Sequence, residues 1–168
     1  MKIIFLDIDG VLYTGDVIRK RYIRVKSLYE EGQQIKFQEN SERFCPRSMR
    51  NLKEILEKTD AQIVLSSTWR LGKTLDDQIV IQREFKKYGI DFDLFIDKTP
   101  YLCTSRGNEI AVWLGFHPEV KSMVIIDDDS DMDQYNERHL AKCHFTIGIT
   151  DDVKHLAINI LNTERGLL

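Results

Sequence analysis

Ile3-Ile4-Phe5-Leu6-Asp7-Ile8-Asp9-Gly10, close to the start of the chain, sets four apolar residues in a row against an abrupt acid, with a second acid two residues later. A short continuous apolar run bounded by polar residues predicts a strand buried on both faces. Asp7 then stands at the tip, where the chain leaves the sheet. Two segments repeat the pattern. Ile63-Val64-Leu65 runs into Ser66-Ser67-Thr68, and Met123-Val124-Ile125-Ile126 runs into Asp127-Asp128-Asp129. Phe92 to Ile96 and Phe145-Thr146-Ile147 are candidates for a third and a fifth strand.

Helical spacing fills the intervals. In residues 46–57, Met49, Leu52, Ile55 and Leu56 share one face and Pro46 suits a first turn. Residues 76–88 read as a helix stopped by Gly89. Residues 106–114 read as another, with Thr104 or Ser105 as N-cap and Gly115 closing it. Val153, Leu156, Ala157, Ile160 and Leu161 predict a last helix. This alternation predicts an α/β fold, a three-layer α/β/α sandwich around a mostly parallel, Rossmann-like sheet with right-handed crossovers. Ligands of such sheets bind beyond the carboxyl ends of the strands. Asp7/Asp9, Ser66/Ser67 and Asp127/Asp128 would therefore meet at one edge. Residues 12–45 break the alternation. Tyr22-Ile23-Arg24-Val25 and Gln34-Ile35-Lys36-Phe37 each have partial period-two character, separated by Glu30-Glu31-Gly32, which predicts a β-hairpin flap over the tip of the first strand.

The 168 residues, 42% hydrophobic and 30% charged, suit one globular domain over 1–168, with 12–45 as a flap or minimal cap and no room for a full cap domain. Nine Gly and three Pro exclude a collagen-like or low-complexity chain. No apolar run reaches the ~18–20 residues of a membrane span, and Asp7 and Asp9 interrupt the only apolar run near the N-terminus, so neither a membrane anchor nor a signal peptide is expected. Cys45, Cys103 and Cys143 lack C-x-x-C spacing and read as free, buried thiols, in keeping with a cytoplasmic location. His117, His139, His144 and His155 lack metal-ligand spacing. The net charge of −3 is unevenly spread: 10 Lys/Arg against 7 Asp/Glu in residues 1–50, but 6 against 11 in residues 101–168. Arg19, Lys20, Arg21, Arg24 and Lys26 form a basic cluster around Tyr22. Asp127, Asp128, Asp129, Asp131 and Asp133 form an acidic one, whose mutual repulsion calls for solvent or a cation.

Phe5-Leu6-Asp7-Ile8-Asp9-Gly10-Val11-Leu12 resembles motif I of the haloacid dehalogenase-like (HAD) hydrolase superfamily, h-h-h-D-x-D-x-[VT]. Ile63-Val64-Leu65-Ser66-Ser67 resembles motif II, Arg106-Gly107-Asn108-Glu109-Ile110 motif III, and Val124-Ile125-Ile126-Asp127-Asp128 motif IV, all in order. The run Leu65-Ser66-Ser67-Thr68-Trp69-Arg70 is further similar to a small HAD subgroup that includes the HAD domains of multi-enzyme RNA-repair proteins. The resemblance implies a phosphatase in which Asp7 attacks phosphorus and Asp9 protonates the leaving oxygen, then activates water. It also implies Mg²⁺, held by the Asp7 carboxylate, the Asp9 carbonyl and one acid of motif IV. Asp128 is favoured with Asp127 beside it; the alternative pairs Asp127 with Asp131.

Two carboxylates facing a phosphate dianion need such a cation, and the phosphoryl oxygens need donors. Ser67 or Ser66 and Arg106 are the candidates, with Lys98 and Lys121 as rivals to Arg106. Thr68, Arg70 and Gly10 are further candidates for contact with substrate, Arg70 being equally suited to a structural ion pair. Trp69 reads first as core packing, with lining of the site as the other possibility. Asp129, Asp131 and Asp133 read as solvated acids at a helix start. The expected partner is a phosphorylated substrate, a nucleic-acid end or a nucleotide, with no obligate protein partner. A small metabolite, a phosphoprotein, or a phosphate-binding regulatory role with little turnover are the alternatives.

Overall fold

Five parallel strands, β1 (Lys2–Leu6), β2 (Gln62–Leu65), β3 (Phe95–Lys98), β4 (Ser122–Asp127) and β5 (Leu140–Lys142), form one sheet in the order β3-β2-β1-β4-β5. This is a computed structural model of the chain, and it describes residues 1–32, 43–71 and 75–163, the side chains of 75–77 excepted. The strands with continuous apolar runs are the inner ones. β1 lies at the centre, flanked by β2 and β4, and Ile3, Ile4, Phe5 and Leu6 are fully buried. The strand tips that carry Asp7, Ser66 and Asp127 come out side by side because Leu6 is in register with both Leu65 and Ile126.

The alternating side chains of β1 feed two cores. Ile4 and Leu6 join Ile63, Leu65, Val124 and Ile126 under α2 (Pro46–Thr59), α3 (Leu75–Lys87) and α5 (Asp151–Asn162). Ile3 and Phe5 join Val64, Met123 and Ile125 against Ile110 and Trp113 of α4 (Arg106–Gly115). The result is the α/β/α sandwich with a Rossmann-like parallel sheet that the sequence predicts. Burying both faces of β1 is the reason its sequence carries no polar alternation.

Five local expectations are corrected. Tyr22-Ile23-Arg24-Val25 is not a strand but the middle of α1 (Gly15–Glu30). Ile18, Tyr22, Val25 and Tyr29 recur at helical spacing along it, and all four are exposed. The partner segment Gln34–Phe37 lies outside the described residues. The fifth strand is Leu140–Lys142, not Phe145–Ile147; the latter forms a turn closed by His144 and Gly148, whose Phe145 and Thr146 carbonyls accept from the Gly15 and Asp16 amides at the start of α1. Phe92–Leu94 is a 3-10 turn, and the third strand starts at Phe95. Gly115 is the last residue of α4, with Phe116 rather than Gly115 capping it. The three cysteines are free, but only Cys143 is buried; Cys45 is half-buried and Cys103 exposed. No helix among the described residues is long and apolar enough to cross a membrane.

Candidate active site

A cleft of about 410 Å³ opens at the carboxyl edge of the sheet, lined by Asp7, Asp9, Thr68, Arg106, Asp127, Asp128 and Asp129. Residues from three strand ends and one helix start thus meet, as the topology requires. After Asp7, the chain turns at once: Val11, Leu12 and Tyr13 amides all return to the Ile8 carbonyl, and Gly10 sits at φ +71°. A Cβ on Gly10 would lie 2.3 Å from the Asp128 side chain. Glycine is therefore what lets the two acidic loops touch. Gly10, expected to contact substrate, is not among the residues that line the cleft, and it leaves this space for Asp128.

Arg106 is the first residue of α4, and its guanidinium reaches back over the sheet edge. Nη1 donates to Asp7 Oδ1 at 2.8 Å and to the Ser66 carbonyl at 2.9 Å, and lies 3.1 Å from Asp127 Oδ2. Burial works against the Arg106 charge, but Asp127 and Asp7 more than offset it, and its pKa is raised. The rivals fall elsewhere: Lys98 Nζ donates to the Arg70 carbonyl, and the Lys121 amide bonds to Met1 at the other end of the sheet.

The N-terminus of α4 is held by the acidic loop itself. Asp131 Oδ2 accepts from the Arg106 amide at 3.3 Å, the Asp131 carbonyl accepts from the Gly107 amide at 3.1 Å, and Asp133 accepts from the Ser105 hydroxyl. Ser105 in turn caps the Asn108 amide at 3.3 Å. Asp131 and Asp133 thus serve unsatisfied helix amides, an arrangement favoured at a positive helix end.

That leaves Asp7, Asp127 and Asp128, each offering one carboxylate oxygen within 4.8 Å of the others. Burial, and then the charge of Asp7, push Asp127 up to about 7, with Arg106 opposing. Burial likewise raises Asp128 and Asp9. Asp127 Oδ2 is buried and has no hydrogen-bond partner. A buried oxygen that accepts no hydrogen bond and meets only the shared Arg106 Nη1 at 3.1 Å, among three carboxylates that one guanidinium does not neutralise, fits a hard divalent cation.

The serines stand differently from the expectation. Ser66 and Ser67 are fully buried and do not line the cleft; the Ser66 hydroxyl has no partner, and Ser67 Oγ accepts from the Trp69 amide at 3.4 Å. Thr68, on the 3-10 turn Thr68–Leu71, is the hydroxyl residue at the cleft wall. A strand end reverses side-chain direction with each residue, so three hydroxyl residues in a row gave no means of choosing among them. Arg70 does not reach the cleft. Its guanidinium is buried, donating to the Ser66 carbonyl at 2.6 Å, the Ser67 carbonyl at 2.8 Å, and Glu109 of α4. Trp69 is the residue the sequence reading undervalued: its indole Nε1 donates to Asp9 Oδ2 at 3.0 Å.

The chain matches the family described as the HAD domain in Swiss Army Knife RNA repair proteins over residues 3–153. No curated protein and no solved structure gives a significant match. The family match begins with the β1 residues that lead to Asp7, takes in every residue of the cleft and ends in the first turn of α5, and the chain belongs to this family of HAD hydrolase domains.

Proposed function

We propose that the chain is a Mg²⁺-dependent phosphomonoesterase acting through an aspartyl-phosphate, on the phosphorylated end of a nucleic acid or on a nucleotide, in the cytoplasm. The observation that carries this reading is Arg106, joined at once to Asp7 and Asp127 in a cleft that Asp9 also lines. Asp7, Asp127, Asp128 and the Asp9 carbonyl would hold Mg²⁺. Bound there, it supplies Lewis-acid stabilisation of charge on the phosphoryl oxygens.

In this reading an Asp7 carboxylate oxygen forms a bond to phosphorus as the bond to the leaving oxygen breaks. Asp9, half-buried and with its pKa raised first by desolvation, gives that oxygen its proton. Asp9 then takes a proton from water, whose oxygen attacks phosphorus and returns Asp7 with release of phosphate. Arg106 and Thr68 donate to the phosphoryl oxygens, and Arg106 keeps the Asp7 oxygen it binds in a fixed direction. The nucleic-acid preference draws support from the family description and from exposed Arg19 and Lys20 on α1. The second turn of α1 is linked to Asp9 of the cleft through Arg21, which donates to the Tyr13 hydroxyl, Tyr13, which packs on Trp69, and Trp69, which donates to Asp9. The free cysteines suit a reducing compartment.

Hydrolysis of an aryl phosphate with Mg²⁺, with chelator, and by Asp7→Asn tests the mechanism. Activity is expected to vanish in the last two; activity that survives both overturns the reading. Comparison of 5′- and 3′-phosphorylated oligonucleotides with mononucleotides and sugar phosphates tests the substrate class, and a preference for sugar phosphates rejects it.

A further inference from the structure

The indole of Trp69 is fixed on several sides. Tyr13 meets it edge-on with ring centroids 6.2 Å apart, and Phe44 meets it at 5.9 Å. Tyr13 is itself pinned: its amide donates to the Ile8 carbonyl at 2.8 Å, and its carbonyl accepts from the Gly10 amide at 3.0 Å. The Trp69 amide is tied to Ser67 Oγ. Within this frame Nε1–H has one hydrogen-bond partner, Asp9 Oδ2. Packing between Tyr13 and Phe44 calls for a large ring but not for a donor, so packing alone gives no reason for an N–H that meets Asp9.

An indole N–H is a donor and never an acceptor. The Asp9 oxygen it meets must therefore offer a lone pair, and in a neutral carboxyl the unprotonated carbonyl oxygen is the stronger acceptor. When the carboxyl is neutral, its proton belongs on Oδ1. We infer that Trp69 is a positioning residue, which fixes the Asp9 carboxyl and assigns proton transfer to Oδ1 rather than Oδ2. In the forward step the Oδ1–H bond breaks as the leaving oxygen gains that proton. In the return step Oδ1 takes a proton from water. This inference rests on the phosphatase reading, in which Asp9 is the acid.

The test uses the dependence of kcat/KM on the leaving group, since only a poorly stabilised leaving oxygen needs a proton. Wild type, Trp69→Phe and Asp9→Asn are compared on 2,4-dinitrophenyl, phenyl and alkyl phosphates with saturating Mg²⁺. Trp69→Phe is expected to lose about tenfold or more on the alkyl ester and little on the dinitrophenyl ester, a fraction of the effect of a general acid. Equal losses across the series would make Trp69 a structural residue and overturn the inference. Asp9→Asn separates the two levels. If it too loses activity equally on every ester, the acid role of Asp9 fails, and the phosphatase mechanism with it. If only Asp9→Asn steepens the dependence, the mechanism stands and the Trp69 inference falls. Should Trp69→Phe not fold, site-specific replacement by 3-benzothienylalanine exchanges N–H for sulfur in the same shape, and the same comparison decides.

Discussion

At the scale of single residues, Asp127 concentrates the cost of this site. It is almost fully buried beside Asp7, and Arg106 offsets that cost only in part, so it is pushed up to about 7. The sign of the consequence follows. Between its ordinary value of 3.8 and about 7, the folded chain holds a proton that the unfolded chain has lost. The group's contribution to stability therefore falls as pH rises through that window. The metal-free protein, followed by thermal unfolding in chelator, is expected to melt lower as pH goes from about 5 to about 8. Asp127→Asn should flatten that slope, and an unchanged slope would reject the assignment. Glu54 has the opposite sign, since hydrogen bonds from Lys154 and Lys58 lower it to about 2, so its effect lies below the window. The meeting of Asp7, Asp9, Asp127 and Arg106 at one edge was legible because the acids follow apolar strand runs and Arg106 opens a helix. Thr68 was legible only as one of three neighbouring hydroxyl residues and Trp69 only as the lesser of two readings, because their placement depends on which way a short 3-10 turn points its side chains, and local spacing does not encode that.

Among the elements, α4 matters most, because it carries Arg106 to the cleft. Arg70 ties the turn after β2 to α4 through the Ser66, Ser67 and Pro100 carbonyls and Glu109, and Glu109 Oε1 also accepts from the Leu102 amide at 2.9 Å. Removing one member leaves a buried charge unpaired. Arg70→Ala is expected to destabilise by about 3–5 kcal/mol. Urea unfolding measures this, and a cost near zero would show the pair to be dispensable. The elements with strong periodicity, α2 and α5, agree with their expected residues to within two at each end. Two weak ones do not. β5 is only three residues long, too short for any periodicity, and Phe145–Ile147 offered a better pattern without a neighbour to pair with. In α1 four residues of apparent alternation concealed a longer helical repeat. With Val17 as its one buried residue, that helix has little burial pattern to betray it.

Taken whole, the molecule is polarised. The formal charge of −3 conceals an acidic carboxyl edge, dense around the cleft, and a basic α1 linked to Asp9 through Tyr13 and Trp69. If α1 guides a polyanion, the oligonucleotide kcat/KM should fall steeply with salt while that for an aryl phosphate stays level. Arg19→Glu with Lys20→Glu should flatten the oligonucleotide curve; identical curves for variant and parent would remove α1 from substrate capture. The sheet order was legible only as far as "parallel", because apolar runs reveal burial but not adjacency. That order also bears on how the chain acquires its fold. Ile3 pairs with Gln62 and with Met123, so the strand bearing Asp7 takes its place only after closure of loops of about 60 and 120 residues. Its nearest stretches of sequence contribute little to that pairing. Helices can form early and locally, whereas Asp7 is set by pairings between strands far apart in the sequence. Recovery of the proposed aryl-phosphate hydrolysis after denaturation is then expected to mark the completion of the sheet, later than the return of helical signal.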